Sequence, residues 1–191
     1  MRKNPRHTEI REVFMSDYHA STICVVRRNK NDICIGSDGQ ITRGDIIAKN
    51  KERKVKRAKN YPVIYGVAGA TPDSIIMGTL FEKELQDYSG DLQNAILSLA
   101  NYLQFEEERS FEALMIAANA EHIMIVGGRG EIMIPDNEYG AIGSGGNYAL
   151  AAIDALYHYT DLSAEKIVRA SIEIASSICV FTNNNISIEK L

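Results

Sequence analysis

The chain lacks tryptophan, and its three cysteines, Cys24, Cys34 and Cys179, form no CxxC pair. That count and spacing argue against a disulfide scaffold or a zinc ribbon. Each cysteine sits in an apolar segment, which reads as a buried, reduced thiol. No apolar run approaches the ~20 residues needed to span a bilayer. The first twenty residues carry charges throughout and no apolar h-region, so they do not read as a secretory signal. Glu9, Glu12 and Asp17 argue against a mitochondrial presequence. A net charge of −4 makes no case for nucleic-acid binding, although Lys51 to Lys59 is locally basic. No Walker A motif is present, so the chain reads as having no P-loop of its own. The expected location is the cytoplasm.

What is present fits an ordinary globular chain: 191 residues, 45% apolar and 24% charged. Residues 1–20 read as a polar, flexible leader and 21–191 as one domain. Residues 22–28 and 32–37 read as strands joined at Asn29-Lys30-Asn31, and Asp38-Gly39-Gln40 interrupts the pattern as a turn. Residues 62–68 form a buried-type strand. Thr71 is placed to cap a helix running to about Tyr88, with Ile76, Leu80 and Phe81 on one face. Asp91 caps a second helix bearing Leu92, Ala95, Ile96, Leu99 and Leu103. Strands follow at 112–119, 121–126 and 130–134, the last two joined by Gly127-Gly128-Arg129-Gly130. A small-residue helix, Asn147 to Tyr159, precedes one capped by Ser163 with Ile167, Val168, Ile172 and Ala175 inward. Residues 185–191 are strand-like. Strands close enough for hairpins, followed each time by two helices, predict an α/β chain of two antiparallel sheets face to face, with a helix layer outside each.

The stretch with the most chemical interest is Tyr18-His19-Ala20-Ser21-Thr22-Ile23. A cut between Ala20 and Ser21 would leave an α-amine and a hydroxyl on one residue. The amine, with an ordinary pKa near ~8, can take the hydroxyl proton at neutral pH. Alone, such a tripeptide is most often a solvated linker. Likewise Asp38-Gly39 alone reads as a turn, Lys54 as one member of a solvated basic face, and Gly143-Ser144-Gly145-Gly146 as a tight turn or an anion cradle.

Taken in order, however, Ser21-Thr22-Ile23, Gly36-Ser37-Asp38-Gly39-Gln40, Arg53-Lys54-Val55, Gly66-Val67-Ala68-Gly69-Ala70-Thr71, Ala141-Ile142-Gly143-Ser144-Gly145-Gly146 and Ile178-Cys179-Val180-Phe181-Thr182-Asn183 form a specific set. The chain from Ser21 to Leu191 resembles the HslV family, the proteasome-like peptidase subunits of HslUV ATP-dependent proteases. The resemblance implies the four-layer αββα fold of N-terminal nucleophile hydrolases and a dodecamer of two stacked hexameric rings. It also implies a HslU-type AAA+ ATPase partner and unfolded polypeptide substrates. By it, Ser21 would be the nucleophile, standing where the family usually has threonine, and its freed amine the general base. Lys54 would lower the amine's pKa and stabilise negative charge, Asp38 would hold Lys54, Ser144 would complete the hydrogen bonds around the amine, and the Gly69 N–H would be the oxyanion donor. No cofactor is implied for the chemistry. Carbonyls of Ser176, Cys179 and Thr182 match positions that bind a monovalent cation, Na+.

Three departures qualify this. Serine lacks threonine's methyl, which stiffens χ1. Met15-Ser16-Asp17-Tyr18-His19-Ala20 resembles the start of a Gram-positive subgroup that uses a serine exposed by removal of the initiator methionine, which makes Ser16 the alternative nucleophile. Gln104 to Ser110 is acidic where the family is usually basic. The competing reading is a catalytically silent, ring-forming subunit that keeps the fold and binds the ATPase. A phosphate-ligand binder using Gly143 to Gly146 and an amidohydrolase acting on small amides are further alternatives.

Overall fold

The computed structural model describes residues 18–19, 21–106 and 111–191. In chain order the strands are β1 (Tyr18–His19), β2 (Thr22–Asn29), β3 (Asp32–Ser37), β4 (Ile41–Arg43), β5 (Ile46–Lys49), β6 (Val55–Arg57) and β7 (Ile64–Gly69). Helices α1 (Thr71–Asp87) and α2 (Leu92–Asn101) follow, the latter running into a π-helical turn, Tyr102–Glu106. Then come β8 (Ala113–Ala118), β9 (Ile123–Gly127), β10 (Ile132–Met133), β11 (Tyr139–Gly143), α3 (Gly146–Tyr159), α4 (Ala164–Ser176) and β12 (Ser187–Lys190).

One sheet has the order β10-β9-β8-β7-β6 and the other β11-β2-β3-β12, with every pairing antiparallel. Side chains alternate across a strand, and here both faces are covered, so the strands are apolar throughout. Ile23 and Val25 of β2 join Ile64 and Ile116 between the sheets, whereas Cys24 and Val26 face α3 and α4 with Val168 and Ile172. On β7, Tyr65 and Val67 face α1 and α2 with Phe81 and Leu99. The layers are therefore helix, sheet, sheet, helix, as the sequence pattern predicts.

Asp91 and Ser163 cap their helices through bonds from Asn94 N (3.0 Å) and Lys166 N (3.5 Å), as expected. Thr71 does not cap α1. Ala70 occupies that position in an extended conformation without a side-chain bond, and Thr71 is the first helical residue. The inward stripe of α1 is Met77, Phe81 and Leu85, whereas Ile76 is exposed. The i, i+4, i+8 spacing explains this: with Phe81 on the sheet, Met77 and Leu85 follow and Ile76 rotates away. All three cysteines are free and buried, and burial pushes the Cys34 thiol up to about 12.

A third, small sheet lies beside these layers. Residues 41–49, left unassigned by the sequence pattern, form the hairpin β4–β5, and the backbone at Tyr18–His19, inside the expected leader, pairs with β4 (Tyr18 opposite Arg43, His19 opposite Thr42). Short strands of mixed polarity give no strong alternation to read. Among the described residues, no helix is long and apolar enough to cross a membrane.

Candidate active site

Ser21 is buried (4% exposed) immediately before β2. The residues that surround it come from strand ends. Asp38 follows β3 directly and is reciprocally bonded to the strand beside it: its amide donates to Thr22 O (3.1 Å), while its Oδ1 accepts from Thr22 N (2.8 Å). The same Oδ1 accepts from Lys54 Nζ at 2.8 Å. Oδ2 accepts from Gln40 N (2.8 Å) and Asn183 N (3.3 Å). A carboxylate with no solvent exposure is thus satisfied by four donors, which is what its burial requires.

Lys54 lies in a run of basic residues, yet only its side chain among them turns inward. Lys51, Arg53, Lys56, Arg57 and Lys59 are exposed, whereas the Lys54 side chain is 6% exposed. It precedes β6, where Val55 faces the core, and its Nζ also donates to Gln40 O at 2.6 Å. Burial pulls its pKa below the ordinary lysine value, and the Asp38 carboxylate opposes that shift. The pair is what makes a lysine tolerable at this depth.

Gly69 ends β7 with φ +132°, a region that disfavours side chains, and a Cβ there would run into the Glu112 carbonyl oxygen. The turn is fastened from both sides. Ala70 N donates to Glu112 O (2.8 Å), and Glu112 N donates to Oδ2 of Asp73 (2.8 Å), a carboxylate buried in the first turn of α1. Gly143, φ +89°, lies at the end of β11 opposite Thr22, where a Cβ would strike the Ser21 carbonyl. Ser144 follows it, exposed.

Two clefts open beside Ser21. The first is walled by Ile41, Lys54, Val67, Gly69, Ile75 and Gly78 among others. The second is walled by Ala68, Gly69, Glu112, Ala113, Leu114, Gly143 and Ser144. The structure therefore brings Ser21, Lys54, Asp38, Gly69 and Ser144 into one neighbourhood. Ser16 lies outside the described residues. Gln40, Asn183 and Asp73 had no role assigned from sequence. Gln40 and Asn183 sit inside the sequence motifs, but what they give Asp38 and Lys54 is a backbone N–H or carbonyl, which no residue type announces.

Ser176, Cys179 and Thr182 lie where α4 unwinds. The segment coils through Ile178 N to Ala175 O (3.1 Å) and Thr182 N to Cys179 O (3.1 Å). Backbone carbonyls spaced by three in such a coil are hard oxygen donors of the kind an alkali cation accepts, and Cys179 O keeps a second lone pair. Among the described residues, no cluster of His, Cys, Asp or Glu is arranged to hold a metal.

Two sheets packed face to face between helix pairs, with a hydroxyl residue at the head of one central strand, define the N-terminal nucleophile class of hydrolase folds. Residues 18–191 match the family model for proteasome subunits, and the chain belongs to that family. Within it the similarity is to HslV. The chain is 43% identical over 176 residues to the ATP-dependent protease subunit HslV of Caldicellulosiruptor saccharolyticus, covering 91% of this chain and 99% of that one. The HslV of Caldanaerobacter subterraneus subsp. tengcongensis matches to the same extent. Among solved structures, eukaryotic HslV from Trypanosoma brucei superposes with a TM-score of 0.82 at 33% identity, over 89% of this chain and 98% of that chain. The Thiobacillus denitrificans protein BPH in complex with epoxomicin shares the fold, with a TM-score of 0.65 at 21% identity over 89% of this chain and 97% of that one.

Proposed function

We propose that the chain is the peptidase subunit of a HslUV-type ATP-dependent protease of the cytoplasm, cutting unfolded polypeptides with Ser21 as an N-terminal nucleophile. The observation that carries this is the Asp38–Lys54 pair. One carboxylate oxygen accepts both the Thr22 amide and the Lys54 ammonium, so a fixed positive charge is tethered to the residue that follows Ser21. Once Ala20 is removed, the α-amine of Ser21 takes the proton of its own Oγ, and Oγ attacks the substrate carbonyl. The Gly69 N–H and the Lys54 charge receive the developing oxyanion. The amine then returns the proton to the leaving nitrogen, and water resolves the ester by the same steps. Ser144, on the wall of the second cleft beside Ser21, is assigned to hydrogen-bond the amine.

Assembly into two stacked hexameric rings, and docking of a HslU-type AAA+ ring that feeds substrate, belong to the same proposal; the similarity to HslV subunits supports both, and the lack of a Walker A motif in this chain assigns ATP hydrolysis to the partner. A Na+ ion held by the carbonyls of Ser176, Cys179 and Thr182 would stiffen the loop that carries Asn183, whose amide bonds Asp38. It would take no part in the chemistry.

The test is the intact mass of protein expressed with its native start and no N-terminal tag, followed by peptidase assay of Ser21→Ala. A mass beginning at Ser21, with activity lost in the variant, is expected. A mass beginning at Ser16 moves the chemistry to that residue. An uncut, inactive chain that still forms rings makes it a silent subunit.

A further inference from the structure

The two clefts share only Ser21 and Gly69 among the described residues of their walls. An extended chain with its carbonyl over Ser21 and its oxygen toward Gly69 must therefore lie in one cleft before the cut bond and in the other after it. The chain's own leader supplies the direction. The backbone ahead of Ser21 pairs at Tyr18–His19 with β4, and Ile41, which begins β4, walls the first cleft. The amino side of the bond to be cut runs past the first cleft, which leaves the second for the departing side.

The second cleft has one large apolar group. Leu114 is 42% exposed on β8, although Ile116 and Ala118, on the same face of the strand, are buried between the sheets. Its cross-strand partners are Ala68 and Gly127, too small to cover it. Resting on the peptidase reading above, we propose that this cleft holds the first residue after the cut bond, and that Leu114 makes it select an apolar side chain.

The measurement is partition of the acyl-enzyme. An amino-acid amide added as acceptor attacks the Ser21 ester: its amine nitrogen bonds to the carbonyl carbon, the bond from that carbon to Oγ breaks, and one amine proton passes to Oγ through the Ser21 α-amine. The ratio of transpeptidation to hydrolysis reports the second cleft regardless of how the ester was formed. Leucinamide is expected to exceed glycinamide by roughly fivefold in the native enzyme, and Leu114→Ser to bring the two close to parity. Equal partition in the native enzyme, or an unchanged preference in Leu114→Ser, overturns the assignment. So does loss of ring assembly in Leu114→Ser on size-exclusion, which makes Leu114 a subunit contact. If native protein forms no ester and behaves as Ser21→Ala does, the peptidase reading fails and takes this assignment with it.

Discussion

Asp38 and Lys54 meet at 2.8 Å with their side chains 0% and 6% exposed, and the same Asp38 oxygen holds the amide of Thr22. The pair therefore fixes the start of β2, the end of β3 and the approach to β6 around one buried charge. Removing the carboxylate strands a buried ammonium and three backbone donors. Asp38→Ala is expected to lose about 3–5 kcal/mol of stability, a fall of roughly 10 °C in Tm. Calorimetry showing a fall below about 3 °C would show that the pair contributes little.

Lys54 predicts an alkaline limit. Its folded pKa lies below the ordinary 10.5, because burial outweighs Asp38. Between the folded value and 10.5 the unfolded chain holds more protons, so on this account folding stability rises with pH in that window. On the proposed mechanism activity does the reverse, since the Lys54 charge assigned to support the oxyanion is lost there. The alkaline limb of kcat/KM should fall below pH 10.5. In any Lys54→Arg enzyme that retains activity, the limb should move upward, because guanidinium does not titrate in this range. A limb unmoved in that variant would assign it to another group.

The Gly69 turn is held at a distance. Asp73 bonds Glu112 N, and Glu112 O bonds Ala70 N, each at 2.8 Å. Asp73→Ala removes that acceptor from the Glu112 amide and lets the Gly69 N–H, the proposed oxyanion donor, shift. The expected result is a kcat roughly tenfold lower or more with KM little changed, largely restored by Asp73→Asn, which keeps an acceptor oxygen. Equal losses in both variants would rule out a positioning role for the acceptor.

Serine in place of threonine should slow the chemistry. With no β-methyl, Ser21 is less restricted among the three staggered χ1 wells, only one of which would aim the hydroxyl at the substrate. Ser21→Thr is expected to raise kcat by about two- to tenfold, provided intact mass shows complete removal of the residues before it. An unchanged kcat would mean that the walls of the cleft already orient Ser21.

The layers are legible in the amino-acid sequence alone. Apolar runs at 22–28, 32–37, 62–68, 112–119 and 121–126 are long enough for strands covered on both faces, and the stripes at Leu92–Leu103 and Ile167–Ala175 read as helix faces. The sequence also carried the ordered residues from Ser21 to Ser144 that the proposed site uses, because hydroxyl, ammonium and carboxylate are side-chain chemistry and are written in residue type. Tertiary structure decided what is written in backbone. That one lysine of a basic run turns inward depends on Val55 facing the core. That Asp38 is satisfied depends on amides from Thr22, Gln40 and Asn183, which any residue but proline could supply. The pairing of Tyr18–His19 with β4 and the second cleft at Leu114 arise only when strands distant in sequence lie side by side, since neither a hydrogen-bonded edge nor the size of a cross-strand neighbour is a local property of the chain.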